Sequence, residues 1–188
     1  MEVISGLENF MKTRMQAFDS HAHEIGRLCV AWSALEMDIT ILLARLADFS
    51  DPNTKTIMLS QLDMRSKIQA LRTLGFAKKI SHDWFTELED TINEIDNEIR
   101  TERNRLIHDF WTTIPVKDAQ EIHLLRINPK LEKPQSRTRA LTLSDLKPVK
   151  SEDIANLCAK TINASVKIST IDYHYAESLP TPSPYRHL

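Results

Sequence analysis

Glycine is scarce in this chain of 188 residues: there are three, Gly6, Gly26 and Gly75. Scattered so widely, they cannot build a phosphate-cradling loop or a dinucleotide fingerprint, both of which need several glycines within one turn. Cysteine is scarcer still. Cys29 and Cys158 form no Cys-x-x-Cys zinc pattern, and both sit among apolar neighbours. They read as buried free thiols, which suits a reducing cytoplasm. There is no nucleophile elbow of the Gly-x-Ser-x-Gly kind. No apolar run approaches the roughly 18 residues that span a bilayer. The start, Met1-Glu2-Val3-Ile4-Ser5, lacks the basic beginning of a secretory signal. The expectation is a cytoplasmic protein with no membrane partner, no cofactor and no metal.

Helix formers dominate what is there, and the length predicts one domain over residues 1–178 with its own core. The segment 179–188 carries three prolines and is expected to be a flexible tail. Net charge is -2, so composition alone does not mark a polyanion binder. The charge is uneven, however. Residues 81–99 hold seven acids and no Lys or Arg, whereas residues 126–150 hold seven bases and two acids. A basic stretch of that kind favours a phosphate backbone. A solvated loop accounts for it equally well.

The apolar spacing predicts a mainly α protein, a bundle of about five helices. Residues 1–20 give a weak amphipathic lead-in through Phe10, Met11, Met15 and Phe18. Ile25, Leu28, Trp32, Leu35, Ile39, Leu42, Leu46 and Phe49 then recur at steps of three and four, which predicts a helix over 21–49. Val30, Ala34, Met37, Ile41 and Ala44 make a second apolar face, and a helix apolar on two sides is covered on two sides, here plausibly by another subunit. Glu36 on this helix either reaches water or pairs with an arginine such as Arg103. Asp51-Pro52 opens the next helix, with a joint near Asp63 and a loosening or an end at Gly75. Lys67 and Arg72 read as solvent-facing. Ser81 caps a further helix whose stripe is Leu88, Ile92, Ile95, Ile99 and Leu106. After it, β-prone runs at 110–114, 121–127 and 139–143 predict a small antiparallel insert over about 110–145. Ser151 starts a last helix with Ile154, Leu157, Cys158, Ile162, Val166 and Ile168 as its core face.

The informative stretch closes the Ser81 helix: Glu98-Ile99-Arg100-Thr101-Glu102-Arg103-Asn104-Arg105-Leu106-Ile107-His108. At about 100° per residue, Asn104 and His108 stack on one side, roughly opposite the apolar stripe, with Arg103 on its flank. Arg103 and Asn104, followed by His108, resemble the signature of the HEPN family (higher eukaryotes and prokaryotes nucleotide-binding): an arginine, a polar residue, a few more residues and a histidine near a helix end. The resemblance implies an all-α domain and a metal-independent endoribonuclease whose two motifs meet across a homodimer, in a toxin or phage-defence setting. It implies catalytic roles for Arg103, Asn104 and His108. Arg100, Arg105 and Trp111 flank them as candidate substrate contacts, and RNA and an antitoxin become candidate partners.

The chemistry is coherent. RNA carries its own nucleophile, the 2′-hydroxyl. Cleavage then needs a base, an acid and positive charge on the phosphate. Histidine serves the first two near neutral pH, and an arginine fork serves the third. One chain offers one His108; two chains facing across a two-fold axis offer a base and an acid. The competing reading is a non-catalytic dimerisation, nucleotide- or protein-binding module, with Arg103 and His108 capping helix carbonyls or pairing with Glu102 and Asp109. His21-Ala22-His23-Glu24 has metal-ligand types, but His21 and His23 point apart on a helix and read as an exposed helix start. Trp32 and Trp84 read as core or interface. Trp111 reads the same way, but its place beside the motif also makes it a candidate base-stacking platform.

Overall fold

The computed structural model describes residues 2–49, 51–115, 122–130 and 142–178. The chain is mainly α-helical. Its helices are α1 (Glu2–Ala47), α2 (Pro52–Ser60), α3 (Met64–Ala77), α4 (His82–Glu94), α5 (Arg100–His108) and α6 (Ser151–Ser178). A π-turn, Ile95–Ile99, joins α4 to α5 without a break, so the described residues form five helical rods. Three strands, β1 (Phe110–Pro115), β2 (Ile122–Lys130) and β3 (Thr142–Pro148), pair antiparallel in the order β1-β2-β3. The expected tail at 179–188, and the part of the basic stretch at 131–141, lie outside the described residues.

Local chemistry explains the helix ends. Asp51 accepts the Thr54 N–H at 2.7 Å with Pro52 in the first turn, and Asp63 accepts the Ser66 N–H at 2.7 Å. Ser81 takes the same role for Trp84 at 3.3 Å. Each satisfies a donor that the first helical turn leaves without an intrahelical partner. Two helices stop without glycine. Asp48 after α1 and Lys79 after α3 adopt left-handed φ values of 52° and 50°. α1 also runs back to Glu2, well before the expected start at residue 21.

The chain divides into two compact units, neither of them a continuous stretch. One consists of residues 31–100 and 160–188. Its core is built by Leu35, Ile39, Leu42 and Leu46 of α1, Ile68 and Leu71 of α3, Leu88, Ile92, Ile95 and Ile99, and Ile168 and Ile171 of α6. Each such side chain withdrawn from water contributes about 1.5–3 kcal/mol. Trp84 lies in this core, its indole N–H donating to the Ile171 carbonyl at 3.0 Å. Asp38 accepts from the Ser165 hydroxyl, and Arg45 lies 2.9 Å from Asp172. Both links join α1 to α6 and advance seven residues along each helix, so the two helices run parallel.

Several expectations are corrected here. Lys67 is buried and donates to Glu36 at 2.8 Å, which gives Glu36 a lysine partner and takes Lys67 out of solvent. Arg72 reaches Glu89 at 3.3 Å and also bonds Asn93. Gly75 does not end its helix but lies buried inside α3, where an added Cβ would stand 2.8 Å from Leu88 Cδ2. Ile162 and Val166 are exposed, so they leave the core face of α6 to Ile154, Cys158, Ala164, Ile168 and Ile171.

The other unit consists of residues 1–30 and 101–159. Among its described residues, Leu28, Leu106, Ile154 and Cys158 are buried. Asp153, in the first turn of α6, accepts the Lys150 N–H at 3.0 Å.

Candidate functional site

The last turns of α5 belong to this second unit and carry the motif. Arg103 Nη1 donates to Asn104 Oδ1 at 3.1 Å, and both side chains are half-buried. His108, the final residue of α5, is exposed. Its side chain makes no hydrogen bond or ion pair among the described residues. On the helix wheel His108 lies about 40° from Asn104, and Arg103 about 100° to the other side. Arg103 and His108 therefore leave the axis about 140° apart, and the bond to Asn104 draws the guanidinium back toward the histidine's side.

The neighbouring arginines are occupied. Arg105 lies 3.1 Å from Glu102 and 3.9 Å from Asp109. Arg100, in the first unit, is held by Asp96 at 2.7 Å. Their positive charge is largely offset locally by these half-buried pairs.

Trp111 is half-buried and anchored. Its indole N–H donates to the Leu106 carbonyl at 2.9 Å, one of the carbonyls the end of α5 leaves without an intrahelical partner. Its ring meets that of His21 edge-on, centroids 6.0 Å apart. His21 is the neighbour that reading the sequence missed. Its Nε2 lies 2.8 Å from the Val149 carbonyl and its Nδ1 3.2 Å from Ser20 Oγ. A carbonyl can only accept, so Nε2 carries a proton, and in the neutral ring the serine hydroxyl donates to Nδ1. No local signal announces this arrangement, because Val149 is 128 residues from His21. His23, by contrast, is exposed, but both histidines lie in the middle of α1 and not at a helix start.

Among the described residues no three His, Cys, Asp or Glu side chains are grouped to hold a metal ion. None of the described helices is long and apolar enough to cross a membrane. A shallow groove of about 530 Å³ runs along α4, lined by Asp83, Glu87, Asp90 and Glu94 together with His82, Thr86, Thr91 and Lys167. It holds none of the motif side chains, and its carboxylates repel phosphate. No family model, curated protein or solved structure matches the chain.

Proposed function

We propose that the chain is a metal-independent endoribonuclease of the HEPN type, acting through Arg103, Asn104 and His108. The observation that carries this reading is His108: an exposed imidazole with its side chain uncommitted, one helical turn from a bonded Arg103–Asn104 pair. In the reaction a neutral imidazole takes the 2′-hydroxyl proton as that oxygen attacks the adjacent phosphorus. The P–O5′ bond breaks, and a protonated imidazole gives its proton to the departing 5′ oxygen. The products end in a 2′,3′-cyclic phosphate and a 5′-hydroxyl. Arg103 neutralises the charge that builds on the phosphate oxygens, and Asn104 fixes the direction of the guanidinium. A second copy supplies the second imidazole, since one chain carries one His108. The toxin or phage-defence setting, and an antitoxin partner, come with the family resemblance.

The test is cleavage of an end-labelled RNA by the full chain with a chelator present. His108→Ala is expected to lose about 10²–10⁴ in rate, the usual worth of a positioned general acid–base group. Arg103→Ala is expected to fall by a similar factor with its helical content unchanged. Cleavage by His108→Ala at the rate of the unaltered chain overturns the assignment. A second reading, a non-catalytic helical binding module, draws on the carboxylates that occupy Arg100 and Arg105. It predicts no cleavage by the unaltered chain.

A further inference from the structure

In the unit built from residues 31–100 and 160–188, four carboxylates of α4 fall in one stripe. Asp83, Glu87, Asp90 and Glu94 follow at steps of four, three and four residues, so they leave the helix within an arc of about 60°. All four line the groove of about 530 Å³ on this helix. Glu94 is occupied, because Lys167 of α6 sets its ammonium 2.7 Å from that carboxylate. Asp83, Glu87 and Asp90 are exposed and make no ion pair or hydrogen bond among the described residues. A solvated acidic stripe does not by itself select a ligand.

Thr91 supplies a second, independent observation. It turns about 70° from the stripe, in the same sense as Trp84, whose indole bonds the Ile171 carbonyl of α6. It lines the same groove and is 3% exposed. Its hydroxyl makes no hydrogen bond among the described residues, yet it is not sealed from water. A helical threonine commonly bonds the carbonyl four residues back, as Thr86 does with His82. Thr91 instead turns an unpartnered acceptor into the groove, at its floor.

We infer that this groove binds a linear aliphatic triamine. Its three ammonium groups pair with Asp83, Glu87 and Asp90, and the middle one also donates to the Thr91 hydroxyl, one helical turn from Glu87. Three features select this class. Among the described residues no three ligating side chains are grouped for a metal ion, so a compact divalent cation does not suit the stripe. The spacing suits an extended ligand: Asp83 to Glu87 rises about 6 Å along the axis, and Glu87 to Asp90 about 4.5 Å. A four-methylene spacer crosses five single bonds of about 1.5 Å and a three-methylene spacer four, which extend to about 6 Å and 5 Å. A triamine with one spacer of each length therefore follows the three carboxylates in order. Its amines stay protonated at neutral pH, as lysine does with a pKa of about 10.4, so three positive charges meet three negative ones. Finally, Lys167 on Glu94 already seats an ammonium on an alkyl chain against this stripe.

This inference does not rest on RNA cleavage, and its test does not read it. Spermidine, a triamine with one four-carbon and one three-carbon spacer, is titrated into the full chain by calorimetry at low and at physiological salt. The expected result is saturable one-to-one binding that weakens as salt rises. Glu87→Gln and Thr91→Val are each expected to weaken it about fivefold, the usual contribution of one charge pair or of one hydrogen bond to a charged group. Their helical circular dichroism is expected to stay unchanged. Glu177→Gln, at an exposed acid of α6 outside the groove, is expected to bind as the unaltered chain does. Putrescine, with two ammonium groups, is expected to bind at least about fivefold more weakly. No saturable binding up to about 10 mM overturns the inference, as does binding that Glu87→Gln and Thr91→Val leave intact. Magnesium binding as tight as that of spermidine overturns it in favour of a diffuse acidic surface. Tighter binding of a lysine-rich peptide overturns it in favour of a protein partner.

Discussion

Gly26 and Gly75 both lie inside helices, and the structure assigns opposite signs to the same substitution at the two positions. Replacing a mid-helix glycine by alanine ordinarily stabilises by about 0.8–1 kcal/mol, because alanine surrenders less backbone freedom on folding. At Gly26 the added methyl meets nothing within 4 Å. Gly26→Ala is therefore expected to realise that gain in full. At Gly75 the methyl would stand 2.8 Å from Leu88 Cδ2 and 3.5 Å from the Phe85 ring. Leu88 is fully buried, so its end carbon has little room to retreat. Overpacking a well-filled core costs about 1–3 kcal/mol. Against the propensity gain, Gly75→Ala should come out destabilising by about 1 kcal/mol.

Urea denaturation followed by circular dichroism measures both variants. In thermal melts the expected displacements are about 2–4 °C per kcal/mol for a chain of this size, upward for Gly26→Ala and downward for Gly75→Ala. A double-mutant cycle sharpens the cause. Leu88→Ala alone should cost about 2–5 kcal/mol, but it also opens the space that the Gly75→Ala methyl needs. In that background Gly75→Ala should turn neutral or stabilising, a coupling of about 1 kcal/mol or more. Equal stabilisation at the two glycines would refute the argument, because it would mean α3 and α4 are not held at glycine distance.

Two further expectations concern charge and backbone. Burial pushes the Asp172 carboxyl above its usual 3.8, outweighing the pull of Arg45, and the nearby Asp38 charge pushes the same way. Its folded form thus holds a proton to higher pH than its unfolded form, so this group's contribution to stability is lost as pH climbs from about 3.8 through the raised value. Asp172→Asn should remove that loss, gaining on the unaltered chain as pH rises in urea titrations; a difference that is flat with pH refutes it. Asp51 and Asp63 act in the opposite sense: hydrogen bonds from Thr54 and Ser66 hold them below 3.8, so their contribution fades only as pH falls beneath it. Lys79→Gly should stabilise by about 0.5–1 kcal/mol, because the left-handed φ of 50° strains a side chain there. A lowered melting temperature would count against it.

Much of the helical layout was legible because its signals are local. Asp51-Pro52, Asp63 and Ser81 announce helix starts through the donors their side chains can satisfy, and each does so in the structure. Other features carry no local signal. The partnership of Lys67 with Glu36 joins residues 31 apart, and nothing beside either one indicates it. The apolar residues of α6 cover more than one face, and periodicity cannot tell which face is inward. Ile162 and Val166 fit the 3.6-residue period as well as Ile168 does, yet they lie outside. Gly75 reads as a stop only while the neighbouring α4 is unseen.

The motif shows the same division between local and distant causes. Its place at a helix end follows from the stripe Leu88, Ile92, Ile95, Ile99 and Leu106, whose members are all buried. The wheel that put Asn104 and His108 opposite that stripe assumed an unbroken α-helix. The π-turn at Ile95–Ile99 takes up an extra residue and shifts the phase of whatever follows by about 100°. Asn104 is half-buried while His108, one turn on at the helix end, is exposed. On the proposed reading, that difference divides the labour at the site. A half-buried Arg103–Asn104 pair has its geometry set by packing, as a group that positions a phosphate should. A histidine that trades protons with substrate needs access, and the last residue of a helix supplies it. The carboxylates beside Arg100 and Arg105 offset the charge of those two arginines. Ribonuclease action from such a site would rely on the placement of a few groups more than on a broad basic surface.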